Sequence, residues 1–246
     1  TTLDIATNTG HTIEFVDATI TSRGTLLAPS SNAFNICGNW TNNGTFSEST
    51  STITFNSGDT AINGTGTLNF YNVTINKTAK TNTLTPSKNV DINGALTITT
   101  GTFVCGANTI YVAGNYDNRP STNANGFITF AAGGTIVFDG GSATIETGGT
   151  TIEPPDTGLA SKRFYNVTID CSGGTKTLIT DHIYVANTLT ITANSTLDTG
   201  NFNVTLIGSL VNNGNLVATG ASTAIFSMSG TTGDATISGT PTGVTQ

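Results

Sequence analysis

The residues that could most directly do chemistry are acids and bases clustered between positions 146 and 163. Glu146, Glu153 and Asp156 lie close together in the chain, and Lys162 and Arg163 follow them. Polysaccharide-cleaving enzymes use clustered carboxylates, often with calcium and with a basic residue over the sugar. The cluster therefore indicates either a small cation or glycan site, or a solvated loop whose charges compensate one another. Two prolines inside the cluster favour the loop.

No other group of residues has the spacing of an active site. The remaining acids are scattered, and His11 and His182 lie outside any metalloprotease or triad motif. The cysteines Cys37, Cys105 and Cys171 form no zinc-binding pair, and we expect them to be small buried apolar residues, with one disulfide as the alternative. The chain is thus predicted to have no catalytic residue, no metal and no cofactor, and not to be an enzyme.

Asparagine in the pattern Asn-x-Ser/Thr offers a different chemistry, the attachment of glycans. The Ser and Thr content alone predicts as many of these patterns as the chain contains, so their number is no evidence of selection. Alternation with apolar residues should point Asn72, Asn166 and Asn203 outward, which would leave room for a sugar. The candidate acceptors are Asn39, Asn43, Asn72, Asn166 and Asn203.

The elements that position these residues must be β-strands. Thr, Gly and Asn contribute 52, 29 and 27 of the 246 residues, whereas charged residues make up only 9%. Good helix formers are scarce, while Thr, Val and Ile favour strands and Gly and Asn favour turns. This composition predicts an all-β protein, and its scarcity of Lys favours an extracellular location.

Charge and hydropathy exclude two kinds of partner. The net charge is -7 and no basic stripe exists, so no nucleic-acid binding is expected. No apolar run reaches the roughly 18 residues of a membrane span. We therefore predict no nucleic-acid partner and no membrane span.

Internal repeats are the main signal in the sequence. The hexapeptide FYNVTI occurs at residues 70–75 and again at residues 164–169, and LTIT occurs at residues 96–99 and 189–192. The blocks keep one order along the chain, which indicates a single domain of residues 1–246. We place three imperfect repeats and two proline-containing loop insertions in it: repeats at about 1–78, 79–170 and 171–246, and insertions near 119–126 and 147–163.

The repeat length favours a solenoid. A β-helix coil takes about 20 to 25 residues, so one repeat would hold three or four coils and the chain about 10–12. Equivalent residues would stack about 4.8 Å apart, and Ile20, Ile98 and Ile191 should point into one core around a common axis. Trp40 and Tyr116, which share a repeat position, should also pack in this core. The alternative fold is a series of β-sandwich repeats.

Several runs resemble a known group of proteins. GNWTNNGTF at residues 38–46, STITF at 51–55, GTLNFYNVTI at 66–75 and LTITTGTF at 96–103 resemble the repeats of secreted, surface-exposed β-helix modules of bacterial adhesin-like proteins. The resemblance extends from about residue 18 to residue 239. It implies a right-handed parallel β-helix outside the cell that serves in surface attachment or assembly.

The repeats do not start and stop at a unit boundary. The chain starts at Thr1 rather than Met, so we expect a processed product or a fragment. The last repeat stops after residues 233–239, where a FYNVTI-like strand would come next, and residues 1–7 resemble a strand. The tail of one copy could therefore continue into the head of another. The candidate assembly residues are Leu3, Ile5, Ala235 and Ile237.

We therefore predict an extracellular structural protein at the cell surface. It would be a subunit of a self-assembling filament or fibre that grows by head-to-tail β-strand stacking, with a second copy as partner and covalent or bound glycans in addition. One alternative is a carbohydrate-binding adhesin module excised from a longer surface protein. Another is a polysaccharide-acting β-helix enzyme.

Overall fold

The computed structural model describes residues 1–6, 11–30, 33–118, 126–147, 164–220, 226–228 and 237–238. Within these residues all regular structure is β, and no helix is present. The strands are β1 (Thr2–Asp4), β2 (Ile13–Phe15), β3 (Ala18–Ile20), β4 (Thr25–Leu27), β5 (Ala33–Ile36), β6 (Trp40–Asn42), β7 (Thr45–Ser47), β8 (Thr52–Phe55), β9 (Thr60–Asn63), β10 (Asn69–Phe70), β11 (Asn72–Asn76), β12 (Thr83–Pro86), β13 (Val90–Ile92), β14 (Leu96–Gly106), β15 (Thr109–Val112), β16 (Tyr116–Asp117), β17 (Gly126–Phe130), β18 (Thr135–Phe138), β19 (Ala143–Glu146), β20 (Phe164–Ile169), β21 (Thr175–Leu178), β22 (Ile183–Ile191), β23 (Thr196–Asp198), β24 (Val204–Leu206), β25 (Ser209–Asn212), β26 (Asn215–Val217), β27 (Phe226–Met228) and β28 (Ile237–Ser238).

The strands form where apolar and polar side chains alternate. In β11 the buried residues Val73 and Ile75 alternate with the half-buried Asn72 and Thr74. Branching at Cβ favours the extended backbone, and every second side chain of a strand points to the same face. Each strand of this kind therefore turns one apolar face inward and one polar face outward.

Every strand pair between described residues is parallel, and the partners come from successive passes of the chain. The longest column contains ten strands in hydrogen-bonded order, from β2 to β26. A chain that winds around an axis produces this arrangement, whereas a β-sandwich is built from antiparallel strands. The predicted parallel β-solenoid is thus confirmed. The total of 10–12 coils and the right-handed sense of the winding stay predictions.

Three long columns of strands surround the core, and β1, β4 and β7 form a separate three-stranded sheet in the first coils. The first is the ten-stranded column, which includes the first half of β14. The second contains β3, β6, β9 and β12 and continues through the second half of β14 to β17. The third runs from β10 through β13, β15, β18, β20 and β22 to β25 and β28.

In the first column the length of a coil is regular except at two places. In the first column, Ile53 pairs with Val73 and Val73 pairs with Leu96, which gives coils of the predicted length. The step from Tyr116 to Ile145 is longer, and so is the next one, from Ile145 to Leu178. These two long steps contain the predicted insertions, most of whose residues lie outside the described part of the chain.

Side chains from all three columns fill one continuous apolar core. Trp40 packs edge-on against Phe46, with 4.7 Å between the ring centroids. Further along the axis, Tyr116 packs in the same way against Phe138 and Phe164, at 5.7 and 5.8 Å. Trp40 and Tyr116 are 1% and 0% exposed, which confirms that both belong to the core.

The sequence repeats do not coincide with whole coils. Ile20 lies in the second column, Ile98 in the first and Ile191 in the third, although all three are buried in the same core. In the second column the second half of β14 lies four coils above β3, with β6, β9 and β12 between them. Ile98 comes a third of a coil before that point, so each repeat advances by three and two-thirds coils. The common core is confirmed, and the repeat boundaries stay predictions.

The three cysteines are unpaired, so the disulfide alternative is excluded. Cys105 and Cys171 are buried, as predicted, and Cys37 is half-buried. Burial raises the pKa of the Cys105 thiol well above its ordinary value. Burial, together with the charge of Glu14, also raises the pKa of Cys37. The thiols of Cys37 and Cys105 are therefore held in their neutral, weakly reactive form.

Glycine is required where one coil turns tightly over another. Gly64 has a φ of +123°, and a Cβ at this position would lie 2.0 Å from the carbonyl oxygen of Asn42 in the preceding coil. Residues with a side chain rarely adopt this backbone conformation. At Gly58 the surroundings are open, because the nearest atom, Nδ2 of Asn82, would lie 3.9 Å from an added Cβ.

Candidate functional site

We call the edges of β1, β2 and β3 that face away from the second coil the open end. β1, β2 and β3 pair with β4, β5 and β6, and among the described residues their opposite edges have no strand partner. A cavity of about 290 Å³ lies beside these edges. The apolar residues that line it are Leu3, Phe15, Ala18, Ile20 and Leu26.

Of the predicted assembly residues, Leu3 and Ile5 lie at this end and Ile237 lies in the last paired strand. Leu3 is 51% exposed at the cavity, and Ile5 is partly buried against the core. Ile237 lies in β28, where it pairs with Leu210 and extends the third column. Ala235 lies outside the described residues. Of Leu3 and Ile5, Leu3 therefore has the apolar side chain that is more available to a partner.

Three predicted glycan acceptors connect neighbouring coils by hydrogen bonds. Oδ1 of Asn39 accepts the backbone N–H of Ala61 at 2.9 Å, and Oδ1 of Asn43 accepts that of Thr65 at 3.0 Å. Asn72 makes the same contact with the next coil at 2.8 Å. Each bond reaches a residue 22 or 23 positions further along the chain, so these asparagines stabilise the stacking of the coils.

The other two predicted acceptors are half-buried. Oδ1 of Asn166 accepts a hydrogen bond from Nδ2 of Asn187 at 2.7 Å, and Nδ2 of Asn166 donates one to Oγ1 of Thr135 at 3.3 Å. The backbone N–H of Asn203 donates to Nδ1 of His182 at 2.6 Å. A glycan on Asn166 would therefore compete with an existing contact between coils. Glycosylation at the five asparagines stays a prediction.

Polar side chains also connect neighbouring coils along the described part of the chain, a role that the sequence pattern did not indicate. Five further side-chain oxygens accept a backbone N–H of the next coil at 2.6 to 3.0 Å. These residues are Asp17, Asp59, Asn89, Asn115 and Ser142. The signal that could have revealed them is the recurrence of Asn and Asp near strand ends at intervals of one coil. This structural role accounts for part of the high Asn content.

The acidic cluster that the sequence singled out is described only in part. Glu146 is buried at 7% exposure. The other members, Glu153, Asp156, Lys162 and Arg163, lie outside the described residues. His11 is exposed, and His182 accepts a backbone hydrogen bond. Within the described ranges, no group of three or more His, Cys, Asp or Glu residues is placed to hold a metal ion.

A groove on the outer face of the third column brings together residues that the sequence alone did not connect. It has a volume of about 420 Å³ and is lined by Lys88, Asn89, Asp91, Tyr111 and Asp139, among others. Asp91 in β13 and Tyr111 in β15 are register partners, and Asp139 follows β18, which is the next strand of the column. Three successive coils therefore form one polar site with an aromatic ring in it.

The two carboxylates of the groove favour their protonated forms more than ordinary aspartates do. Burial raises the pKa of Asp91, and the charge of Glu48 raises it further. Burial also raises the pKa of Asp139, as does Asp91, whereas Lys176 partly offsets the shift. Oδ1 of Asp139 is enclosed and has no hydrogen-bond partner among the described residues. An enclosed acceptor without a donor costs about 1–3 kcal/mol, and this oxygen is covered by the fold itself.

Two lysines are enclosed by the coils. Lys77 is 3% exposed, and its ammonium group donates to Oγ1 of Thr60 and lies 5.8 Å from the centroid of the Phe55 ring. Burial lowers the pKa of Lys77 to about 8, and Asp59 partly offsets the shift. Lys176 is fully buried and donates to a backbone carbonyl oxygen at 2.8 Å, and burial lowers its pKa as well. Neither amine is accessible to a ligand, so we expect both lysines to affect the stability of the fold rather than binding.

These features define a parallel β-solenoid with an open end and a polar groove on one side. No family model, no curated protein and no solved structure matches the chain. Among the residues that the structure describes, no helix has the length and apolar character needed to cross a membrane.

Proposed function

We propose that the chain is an extracellular structural protein, the subunit of a surface filament that grows by head-to-tail stacking of β-solenoids. In this role it needs no catalytic residue, metal or cofactor. The extracellular location is supported by the low content of charged residues and the abundance of Thr and Asn.

The open end at β1, β2 and β3 is the observation that carries the proposal. Sheet edges in natural proteins are commonly blunted by charge, by proline or by a covering segment, and solenoids usually have capping units. Here an exposed leucine, Leu3, and an apolar cavity lie beside strand edges without partners among the described residues. A parallel strand added there would form hydrogen bonds with the backbone groups of this edge, as neighbouring coils do with one another inside the solenoid.

A second copy of the chain is the occupant that fits this end. Coils of this sequence already stack on one another, because Ile13 pairs with Phe34 and Phe34 with Ile53 along the first column. All the pairings between described strands are parallel, so the added copy would continue in the same direction. Such a heterologous contact repeats at every subunit and gives an open filament when it does not close into a ring.

Sedimentation velocity and negative-stain electron microscopy of the full chain over a range of concentrations test this proposal. We expect larger species to accumulate with concentration, and filaments that lengthen without widening. The variant Leu3→Glu should shift the equilibrium to monomer, because its carboxylate would be buried in the apolar cavity. A parent chain that remains monomeric at every concentration would overturn the proposal.

Ile179→Glu is the matched control. Ile179 is also an exposed apolar residue, at 40%, but it does not line the cavity at the open end. We expect this variant to assemble as the parent does. Equal assembly of Leu3→Glu and Ile179→Glu would show that the open end is not the contact, and equal loss would point to a non-specific effect of charge; both results contradict the proposal.

A further inference from the structure

The groove on the third column has the components of a binding site, and the proposed assembly does not use it. Asp91 and Tyr111 lie side by side on neighbouring strands, about 4.8 Å apart along the column. Val137 is the next register partner of Tyr111, and Asp139 lies two residues beyond it. Lys88 lines the same cavity. The aromatic ring is thus accompanied by carboxylates from the coils on either side of it.

The exposure of these side chains suits a ligand that lies across the coils. Tyr111, Asp91 and Asp139 are all half-buried, so each is held in place by its neighbours but remains accessible. The volume of about 420 Å³ lies within the range of about 300–1,000 Å³ for small-molecule sites. A ligand with an apolar face and several hydroxyl groups would satisfy both the ring and the acceptors.

We propose that this groove binds an uncharged oligosaccharide. The C–H face of a sugar ring would pack on the ring of Tyr111, and sugar hydroxyls would donate to Asp91 and Asp139. An acidic polysaccharide is disfavoured, because two carboxylates line the groove and the chain has a net charge of -7. A bound metal ion is disfavoured, because the described residues offer no group of three ligands.

Isothermal titration of the full chain with uncharged hexasaccharides tests the proposal. The probes are cellohexaose, maltohexaose, laminarihexaose, xylohexaose and mannohexaose, with an oligogalacturonate as the acidic counterpart. We expect at least one neutral probe to bind, and the oligogalacturonate to bind more weakly or not at all. Absence of binding by every neutral probe, or tighter binding of the oligogalacturonate, would overturn the proposal.

Substitutions locate the site. Tyr111→Ala and Asp139→Asn should each weaken binding of the neutral probe by about tenfold or more. Tyr165→Ala is the matched control, because Tyr165 is a half-buried tyrosine of β20 that does not line the groove. It should leave the affinity unchanged. Binding that survives Tyr111→Ala, or that is lost equally in Tyr165→Ala, contradicts the assignment.

The proposals of a sugar site and of a filament can be tested independently of each other. The groove is formed by coils well inside the chain, so the Leu3→Glu variant should bind the same probe with the affinity of the parent. Melting curves of all variants by circular dichroism show whether each is folded. Loss of binding in Leu3→Glu would contradict a site within one subunit.

Discussion

Replacement of the enclosed Lys77 by methionine should remove a large part of the dependence of stability on pH. The pKa of this ammonium group is about 8 in the folded chain, against an ordinary value of 10.5. Between these two pKa values the unfolded chain carries the proton of this lysine and the folded chain does not. At lower pH both states carry the proton, and folding then has to bury a charged ammonium group, which favours the unfolded state. The contribution of Lys77 to the free energy of unfolding therefore rises, and the folded chain becomes more stable, as the pH increases from about 8 to about 10.5.

The magnitude follows from the two pKa values. One unit corresponds to about 1.4 kcal/mol, so the full effect is roughly 3 kcal/mol, of which roughly 2.5 kcal/mol develops between pH 7 and pH 10. In Lys77→Met this contribution is absent. The contact with Thr60 and the position over the Phe55 ring are lost as well, but these losses change little over the upper part of this pH range. Relative to the variant, the parent should therefore gain roughly 2.5 kcal/mol over this interval.

Urea unfolding of parent and variant at a series of pH values measures this difference. The comparison is necessary because burial raises the pKa of Cys105 and of Tyr116, which lowers the stability of both proteins at high pH. Lys80→Met is the control, because Lys80 is an exposed lysine of the next turn. A difference between parent and Lys77→Met that stays constant from pH 7 to pH 10 would refute the argument.

The packing leads to four further expected outcomes. Gly64→Ala should destabilise the chain by roughly 2 kcal/mol or more, whereas Gly58→Ala should stay within about 0.5 kcal/mol, as measured by urea unfolding. Phe70→Ala should cost about 3–5 kcal/mol in the same assay, because the ring is fully buried. A thiol reagent should label only Cys37 in the folded chain and all three cysteines after unfolding; rapid labelling of three in the folded chain contradicts the burial. Lys176→Met should reduce the gain in stability with rising pH, as for the other enclosed lysine, and an unchanged pH profile would contradict this.

Local alternation was enough to predict the strands and the class of fold. Val73 and Ile75 are separated by Thr74, and this pattern specifies both an extended backbone and the side that is buried. The repeated blocks added the information that strands stack around an axis. The alternation and the repeated blocks are both visible in the sequence, so they can be recognised without knowledge of which residues are in contact.

The columns could not be predicted, because they depend on the length of each coil. Ile20, Ile98 and Ile191 have equivalent sequence surroundings but lie in three different columns. Each repeat advances by three and two-thirds coils, so equivalent residues fall in different columns, and the two insertions lengthen the second step without changing this offset. Sequence equivalence therefore did not translate into spatial equivalence.

The groove was beyond sequence analysis for the same reason. One coil separates Asp91 from Tyr111, a further coil leads to the strand before Asp139, and no motif links the three residues. The contacts of Asn39 and Asn43 were missed because glycosylation patterns and inter-coil hydrogen bonds use the same residue type. Only the register of neighbouring strands shows which of these roles the geometry supports.

The offset of three and two-thirds coils between repeats bears on how such a chain can lengthen. Three offsets make eleven whole windings, so a fourth copy of the unit would lie directly above the first. The interior accepts isoleucine at Ile20, Ile98 and Ile191 although each belongs to a different side. A gene segment that encodes a fractional number of windings can thus be duplicated without breaking the fold, and each duplicate presents its outer surface in a new direction.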